Sequence, residues 1–116
     1  MSNLNEESSP TRHRDKSVAM ERIILARPIA NLSADQVSDV VESGRMLITA
    51  IPGVEQMSFG RSSGADAPYP WYVRIRFRDE QALQTYETHP NHINFGTQQW
   101  LQIIADQIVI DYQLDY

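Results

Sequence analysis

Residues 71–77, which read WYVRIRF, alternate strictly between two kinds of side chain. The odd-numbered positions are large and apolar, whereas the even-numbered positions are a tyrosine and two arginines. Successive side chains of a β-strand point to opposite faces, so this run predicts a strand with one buried face and one polar face. Such a strand must pack its apolar face against a second layer of structure.

The remaining segments predict the element order β-α-β-β-α-β. Ser33 and Gln36 form a capping box at the start of a helix that Pro52-Gly53 ends, and Asp79 caps a second helix that His89-Pro90 breaks. The predicted strands are 22–27, 54–60, 71–77 and 107–112, and a further helical piece is expected over about 97–105. This order predicts an α+β fold, the ferredoxin-like sandwich, with helices on one face of the sheet. The bare face is expected to be covered by a second copy of the chain, giving a homodimer.

Composition and charge restrict the function. The chain has 116 residues, no cysteine and a net charge of −5, which excludes disulfides, thiolate chemistry and cysteine-based metal sites and argues against a nucleic-acid partner. No apolar run approaches the roughly 20 residues that span a membrane. Residues 1–19 are neutral and poor in apolar side chains, so they are predicted to be a flexible tail before a domain at 20–116. They lack the apolar stretch of a secretory signal, so a cytoplasmic location is expected.

No metal or cofactor site is predicted. His89 and His92 are close in sequence but lie on either side of Pro90, so they do not share a regular helical face. The chain has no glycine-rich phosphate loop and no nucleotide fingerprint. His89 is expected to have a structural role at the end of the preceding helix.

Several stretches also form a recognisable pattern: IPGV at 51–54 leading to FGR at 59–61, a strand ending at Phe77 followed by DEQALQTY at 79–86, and HPNHINFG at 89–96 followed by IDY at 110–112. Over residues 20–116 this pattern resembles the stress-responsive A/B-barrel (Dabb) family. The resemblance implies a dimeric α/β barrel made of two sheets packed face to face. The family contains plant stress proteins and a plant polyketide cyclase, olivetolic acid cyclase, which works without metal or cofactor.

The resemblance to that cyclase implies a set of site residues. Its catalytic tyrosine and histidine fall on Tyr86 and His92, and a pocket phenylalanine falls on Phe95. Two pocket histidines are replaced by Arg22 and Trp71, and two helix aromatics by Val41 and Gly44. Strand alternation adds Ile24 and Val73 to the same wall, and Trp100 is a further candidate for stacking on a planar substrate. The polar pair is retained while the surrounding pocket is rebuilt.

Three residues keep alternative interpretations. A buried Arg22 must meet an internal acid or an anionic ligand, unless it reaches solvent at the start of its strand. Gly44 leaves room either for a ligand or for a bulky neighbour, for which Trp71 is the candidate. His92 is either a proton-transfer group, because the ordinary pKa of histidine is about 6.5, or a residue that hydrogen-bonds the backbone at a helix start.

These residues predict a cofactor-independent enzyme of the cyclase, isomerase or lyase type. It would act through Tyr86 and His92 on a carbonyl- or carboxylate-bearing substrate of aromatic or polyketide-like character, bound between sheet and helices. One alternative is a non-catalytic dimeric stress-response or ligand-binding protein. Another is a cofactor-free monooxygenase, which would need a substrate that reacts with oxygen itself.

Overall fold

The computed structural model describes residues 18–114. In chain order the elements are β1 (Met20–Pro28), α1 (Ala34–Thr49), β2 (Val54–Arg61), β3 (Trp71–Phe77), α2 (Glu80–Thr88), α3 (Pro90–Phe95), a π-helical turn (Gly96–Trp100), α4 (Leu101–Ile103) and β4 (Ile104–Gln113). The strands of this region form one antiparallel sheet in the order β2-β3-β1-β4. The predicted ferredoxin-like α+β fold is confirmed.

The flexible tail proposed for residues 1–19 falls mostly outside the described residues. Val18 and Ala19 are described, and the carbonyl of Ala19 accepts a 2.8 Å hydrogen bond from the backbone N–H of Leu114. This bond extends the antiparallel pairing of β1 and β4 beyond the last strand residues.

The predicted alternation of β3 is present in the structure. Its odd-numbered side chains lie in the core, where Phe77 is fully buried, and Tyr72 and Arg74 are exposed on the opposite face. Helix α1 covers the buried face and begins at the predicted capping box, in which Ser33 accepts from the N–H of Gln36 and the Gln36 side chain accepts from the N–H of Ser33. Helix and sheet therefore enclose one apolar core.

The chain breaks at His89-Pro90 as predicted, but His89 acts differently from the expectation. Its Nδ1 accepts a 3.0 Å hydrogen bond from the N–H of Asn91, so the side chain caps the following helix and not the preceding one. Its backbone N–H closes α2 by donating to the carbonyl of Tyr86. Pro90 favours this arrangement because it occupies the first helical turn, where no N–H donor is needed.

The helical piece expected over about 97–105 has different bounds. Helical structure starts at Pro90 and ends at Ile103, and Ala105 lies in β4. Ile104 pairs with Pro28 of β1, and the carbonyl of Ile103 accepts a 2.8 Å bond from the N–H of Ile29. Sheet pairing thus overrides the helical preference of Ala105.

The sheet face away from the helices carries an exposed apolar region on β4 and its neighbours. Ile108, Ile110 and Tyr112 are 39%, 38% and 50% exposed, and Ile110 lies directly across from Ile23 of β1. Arg76 pairs with Glu55 across this face, with 3.1 Å between Nε and Oε1. Asp111 lies on the helix side, because alternation along β4 turns it away from Ile110.

Within residues 18–114, no helix combines the length and apolar character needed to cross a membrane.

Candidate active site

A cavity of about 160 Å³ lies between the sheet and the helices. It brings together most of the site residues predicted from the sequence, namely Arg22, Ile24, Val73, Tyr86, His92, Phe95 and Trp100. The residues of its wall that the sequence analysis missed are Ile48, Met57, Ile75, Gly96, Leu101, Gln107 and Val109. Most of these additions are aliphatic side chains, so the cavity is mainly apolar and has a few polar groups in its wall.

Trp71 does not line this cavity, contrary to the prediction. It is the first residue of β3 and pairs with Ala26, whereas Arg22 pairs with Ile75, four residues further along. Four residues of strand correspond to roughly 13 Å, so Trp71 lies at the opposite end of the sheet. There its ring stacks on Phe59, at 6.1 Å between centroids, and borders a separate cleft.

Val41 and Gly44 are also absent from the cavity wall. Val41 is fully buried in the core. A Cβ added to Gly44 would lie 2.8 Å from Cε2 of Phe95 and closer still to its Cζ and Cε1. The glycine therefore accommodates a bulky neighbour, as one interpretation held, but the neighbour is Phe95 and not Trp71.

Tyr86 and His92 form a stacked pair in the cavity wall. Their ring centroids are 4.0 Å apart with an interplanar angle of 27°, and Phe77 contacts the tyrosine ring edge-on at 5.0 Å. Tyr86 comes from α2 and His92 from α3, so the break at His89-Pro90 is what folds one ring onto the other. This packing holds both rings in fixed positions.

The hydrogen bond of His92 determines which ring nitrogen is available. Nδ1 lies 3.3 Å from the carbonyl oxygen of Glu87, and a carbonyl only accepts hydrogen bonds. The bond therefore requires the proton on Nδ1, which leaves Nε2 of the neutral ring as a proton acceptor. The backbone contact expected of a structural histidine and the tautomer needed for a general base are thus both present.

Arg22 lies between two carboxylates. It is directly across from Asp111 on β4, and the distances are 2.8 Å from Nε to Oδ1 and 3.0 Å from Nη2 to Oδ2. Nη2 also donates to Oε2 of Glu87. Only 13% of the Arg22 side chain is exposed, so the internal-acid interpretation describes this arginine. Burial opposes its charge, but the hydrogen bonds to Asp111 and Glu87 outweigh burial and raise the pKa of Arg22.

Arg22 in turn acts on Tyr86. Burial raises the pKa of the Tyr86 hydroxyl to about 12, although the charge and hydrogen bond of Arg22 lower it in part. The tyrosine therefore stays protonated at neutral pH. The guanidinium lies over the Tyr86 ring, with 5.5 Å between Cζ and the ring centroid, and because it can only donate it does not take the O–H proton, which stays available for another acceptor.

Three further polar residues of this region were not among the predicted site residues. Glu87 follows Tyr86 directly, and Asp111 required the register of β4 against β1 before it could be matched to Arg22. Gln107 accepts a 2.8 Å hydrogen bond from Nε1 of Trp100, which satisfies the indole beside the cavity. Among the described residues, no group of three or more histidine and carboxylate side chains could hold a metal ion.

Comparison with known proteins identifies the family. The profile of the stress-responsive A/B barrel domain (Dabb) matches residues 20–114. The chain belongs to the Dabb family. Among curated proteins, none shows significant similarity to the sequence of this Dabb protein.

Solved structures share the fold. A Dabb family protein from Mesorhizobium loti, described as having a ferredoxin-like fold, superimposes with a TM-score of 0.74 at 18% identity, covering 85% of this chain and 99% of that one. A dimeric ferredoxin-like protein of unknown function from Thermobifida fusca has a TM-score of 0.72 at 25% identity, with coverages of 85% and 93%. Hydroxynitrile lyase from Passiflora edulis has a TM-score of 0.74 at 14% identity, with coverages of 85% and 95%.

Proposed function

We propose that this Dabb protein is a cofactor-independent enzyme that moves a proton at a carbon next to a carbonyl group. The observation that carries the proposal is the stacked pair in the cavity wall, in which His92 offers a free Nε2 and Tyr86 a free O–H. A base and a hydrogen-bond donor beside one apolar cavity are the groups that enolisation needs. A fold that also occurs in a hydroxynitrile lyase is compatible with lyase chemistry.

The proposed reaction needs no oxidant or reductant. Nε2 of His92 takes the proton from the carbon next to the carbonyl, and the electron pair of that C–H bond forms a C=C bond. The carbonyl oxygen becomes an enolate oxygen, which accepts a hydrogen bond from Tyr86. Return of the proton to a different carbon gives isomerisation, and attack of the enolate on a second carbonyl gives cyclisation. The positive charge of Arg22 strengthens the phenol as a donor.

The cavity also limits the size of the substrate. An apolar cavity of roughly 150 Å³ holds one benzene molecule. The cavity in this chain, at about 160 Å³, therefore suits a compound with one six-membered ring. A longer polyketide chain would extend beyond this volume.

The proposed function is tested by proton exchange of a one-ring ketone. With acetophenone in D₂O, we expect the wild type to accelerate loss of the methyl proton NMR signal. His92→Ala should lose this acceleration, since no base remains, and Tyr86→Phe should reduce it, because the ring stays but the donor is lost. His89→Asn is the matched control, because asparagine preserves the helix cap and His89 lies outside the cavity.

Other outcomes favour the alternative functions. A ligand-induced thermal shift across a panel of one-ring ketones, without any proton exchange, would favour a ligand-binding protein. Consumption of oxygen with the same compounds would favour a monooxygenase. Absence of both binding and exchange would leave a structural dimer.

The exposed apolar face of the sheet supports a homodimer with two sheets packed face to face. Ile108 and Ile110 lie beside Leu25 and Ile23 on this face, and exposed apolar surface of this kind is usually covered. Light scattering at micromolar concentration is expected to give the mass of a dimer, and Ile110→Lys is expected to shift it towards the monomer. A monomer mass for the wild type would contradict the proposal.

A further inference from the structure

We propose that Glu87, together with Asp111, selects the charge of the substrate, so that the cavity takes an uncharged one-ring carbonyl compound and rejects carboxylates. This inference rests on the proposed function in the same cavity. It replaces the expectation that Arg22 anchors an anionic substrate.

Arg22 has no complete bidentate edge left for a ligand. A guanidinium presents five N–H donors and binds a carboxylate best through two parallel N–H groups. Asp111 occupies the edge formed by Nε and Nη2. Glu87 takes the other proton of Nη2, which belongs to the second edge. An incoming carboxylate would meet only Nη1, which cannot form both parallel bonds along an edge.

The local charge also opposes an anion. One guanidinium faces two carboxylates, so this cluster carries a net charge of −1 when all three groups are ionised. Neither carboxylate is part of the cavity wall. A carboxylate ligand next to Arg22 would be the third anion around one cation, and like charges repel. A neutral carbonyl oxygen avoids this repulsion and still accepts a hydrogen bond from Tyr86.

The position of Glu87 indicates that helix stability alone does not account for it. It lies in the last turn of α2, a turn that carries no basic residue. The C-terminal end of a helix bears partial negative charge and disfavours an acidic side chain there. The contact of Glu87 with Arg22 offsets that unfavourable position. Asp111, by contrast, is held by the pairing of β1 with β4.

The test compares benzamide with benzoate, which are nearly identical in shape and differ in charge. By calorimetry at neutral pH, we expect the wild type to bind benzamide at least about tenfold more tightly than benzoate. In Glu87→Gln, which removes one negative charge beside Arg22 while the amide oxygen can still accept from Nη2, benzoate should gain about tenfold in affinity while benzamide changes little. Glu42→Gln is the matched control, since it changes the net charge equally in an exposed pair with Arg45 on α1 and should behave as wild type.

The outcomes separate this inference from the proposed function. Wild-type binding of benzoate as tight as that of benzamide would overturn the charge selection, and this comparison needs no variant. An unchanged benzoate affinity in Glu87→Gln would overturn the role of Glu87. Binding of neither probe to any variant would overturn the charge selection, whereas the proton exchange of acetophenone decides the proposed function separately. Selective binding of benzamide without proton exchange on any one-ring ketone would support the charge selection and overturn the enzyme.

Discussion

Replacing Gly44 by alanine is expected to lower the free energy of unfolding by about 2 kcal/mol, even though alanine favours helices by about 1 kcal/mol over glycine. The new methyl group would overlap the ring of Phe95, which is only 7% exposed. Trp100 packs near that ring, at 6.3 Å between centroids, and restricts its movement on one side, so the ring can shift only towards the cavity and away from its present packing. The overlap therefore outweighs the helix preference. Thermal or urea unfolding measures the difference.

Gly96→Ala is the control for the prediction at Gly44. Gly96 is also helical, but a Cβ there would meet nothing within 4 Å. We expect this variant to be as stable as wild type or more stable by up to about 1 kcal/mol. Adding Phe95→Leu to Gly44→Ala should recover part of the lost stability, because it removes ring atoms from the overlap. A Gly44→Ala variant as stable as wild type would show that Phe95 does not depend on the glycine.

Alkaline pH is expected to destabilise the protein through Tyr86. The unfolded chain ionises this tyrosine at a pKa near 10, whereas burial raises the pKa to about 12 in the folded state. The stability from keeping the phenol neutral is fully present below about pH 10 and is lost as the pH rises towards 12. Two pKa units correspond to a loss of up to roughly 3 kcal/mol in the free energy of unfolding.

Urea unfolding between about pH 9 and pH 12 tests this loss. Tyr86→Phe should have a flatter pH dependence over this range, because phenylalanine does not ionise in either state. Tyr69 also has a raised pKa, through its hydrogen bond to Asp106, but it is only half-buried and lies outside the core, so Tyr69→Phe is the matched control and should retain most of the steep dependence. Equal slopes for wild type and Tyr86→Phe would show that burial of the phenol is not coupled to stability.

Much of the fold could be predicted from the sequence because its signals are local. The alternation in 71–77, the capping box at Ser33 and Gln36, and the break at His89-Pro90 each depend on neighbouring residues alone. Strand period, side-chain capping and the geometry of proline act within a few residues, so they can be recognised in the sequence alone. The tertiary structure agrees with the elements that they predict. The predicted end of the last helical piece, at Ala105, was wrong, because pairing with β1, which is distant in the sequence, decides where β4 begins.

The candidate site could be predicted only in part. The resemblance to the Dabb family placed Tyr86 and His92 together, and the structure stacks them. It also placed Trp71 in the pocket, but strand register puts that side chain at the far end of the sheet.

By itself, the sequence determined the order of the strands and helices, the buried face of β3 and the presence of a tyrosine and a histidine around a helix break. Only the tertiary structure decided that Asp111 and Glu87 surround Arg22, that Phe95 packs on Gly44 and that Nδ1 of His92 faces the carbonyl of Glu87. The physical reason is the separation in sequence between the residues that interact. Caps, turns and alternation depend on residues adjacent in the chain, whereas ion pairs and cavity walls join residues that only strand register and helix packing bring together.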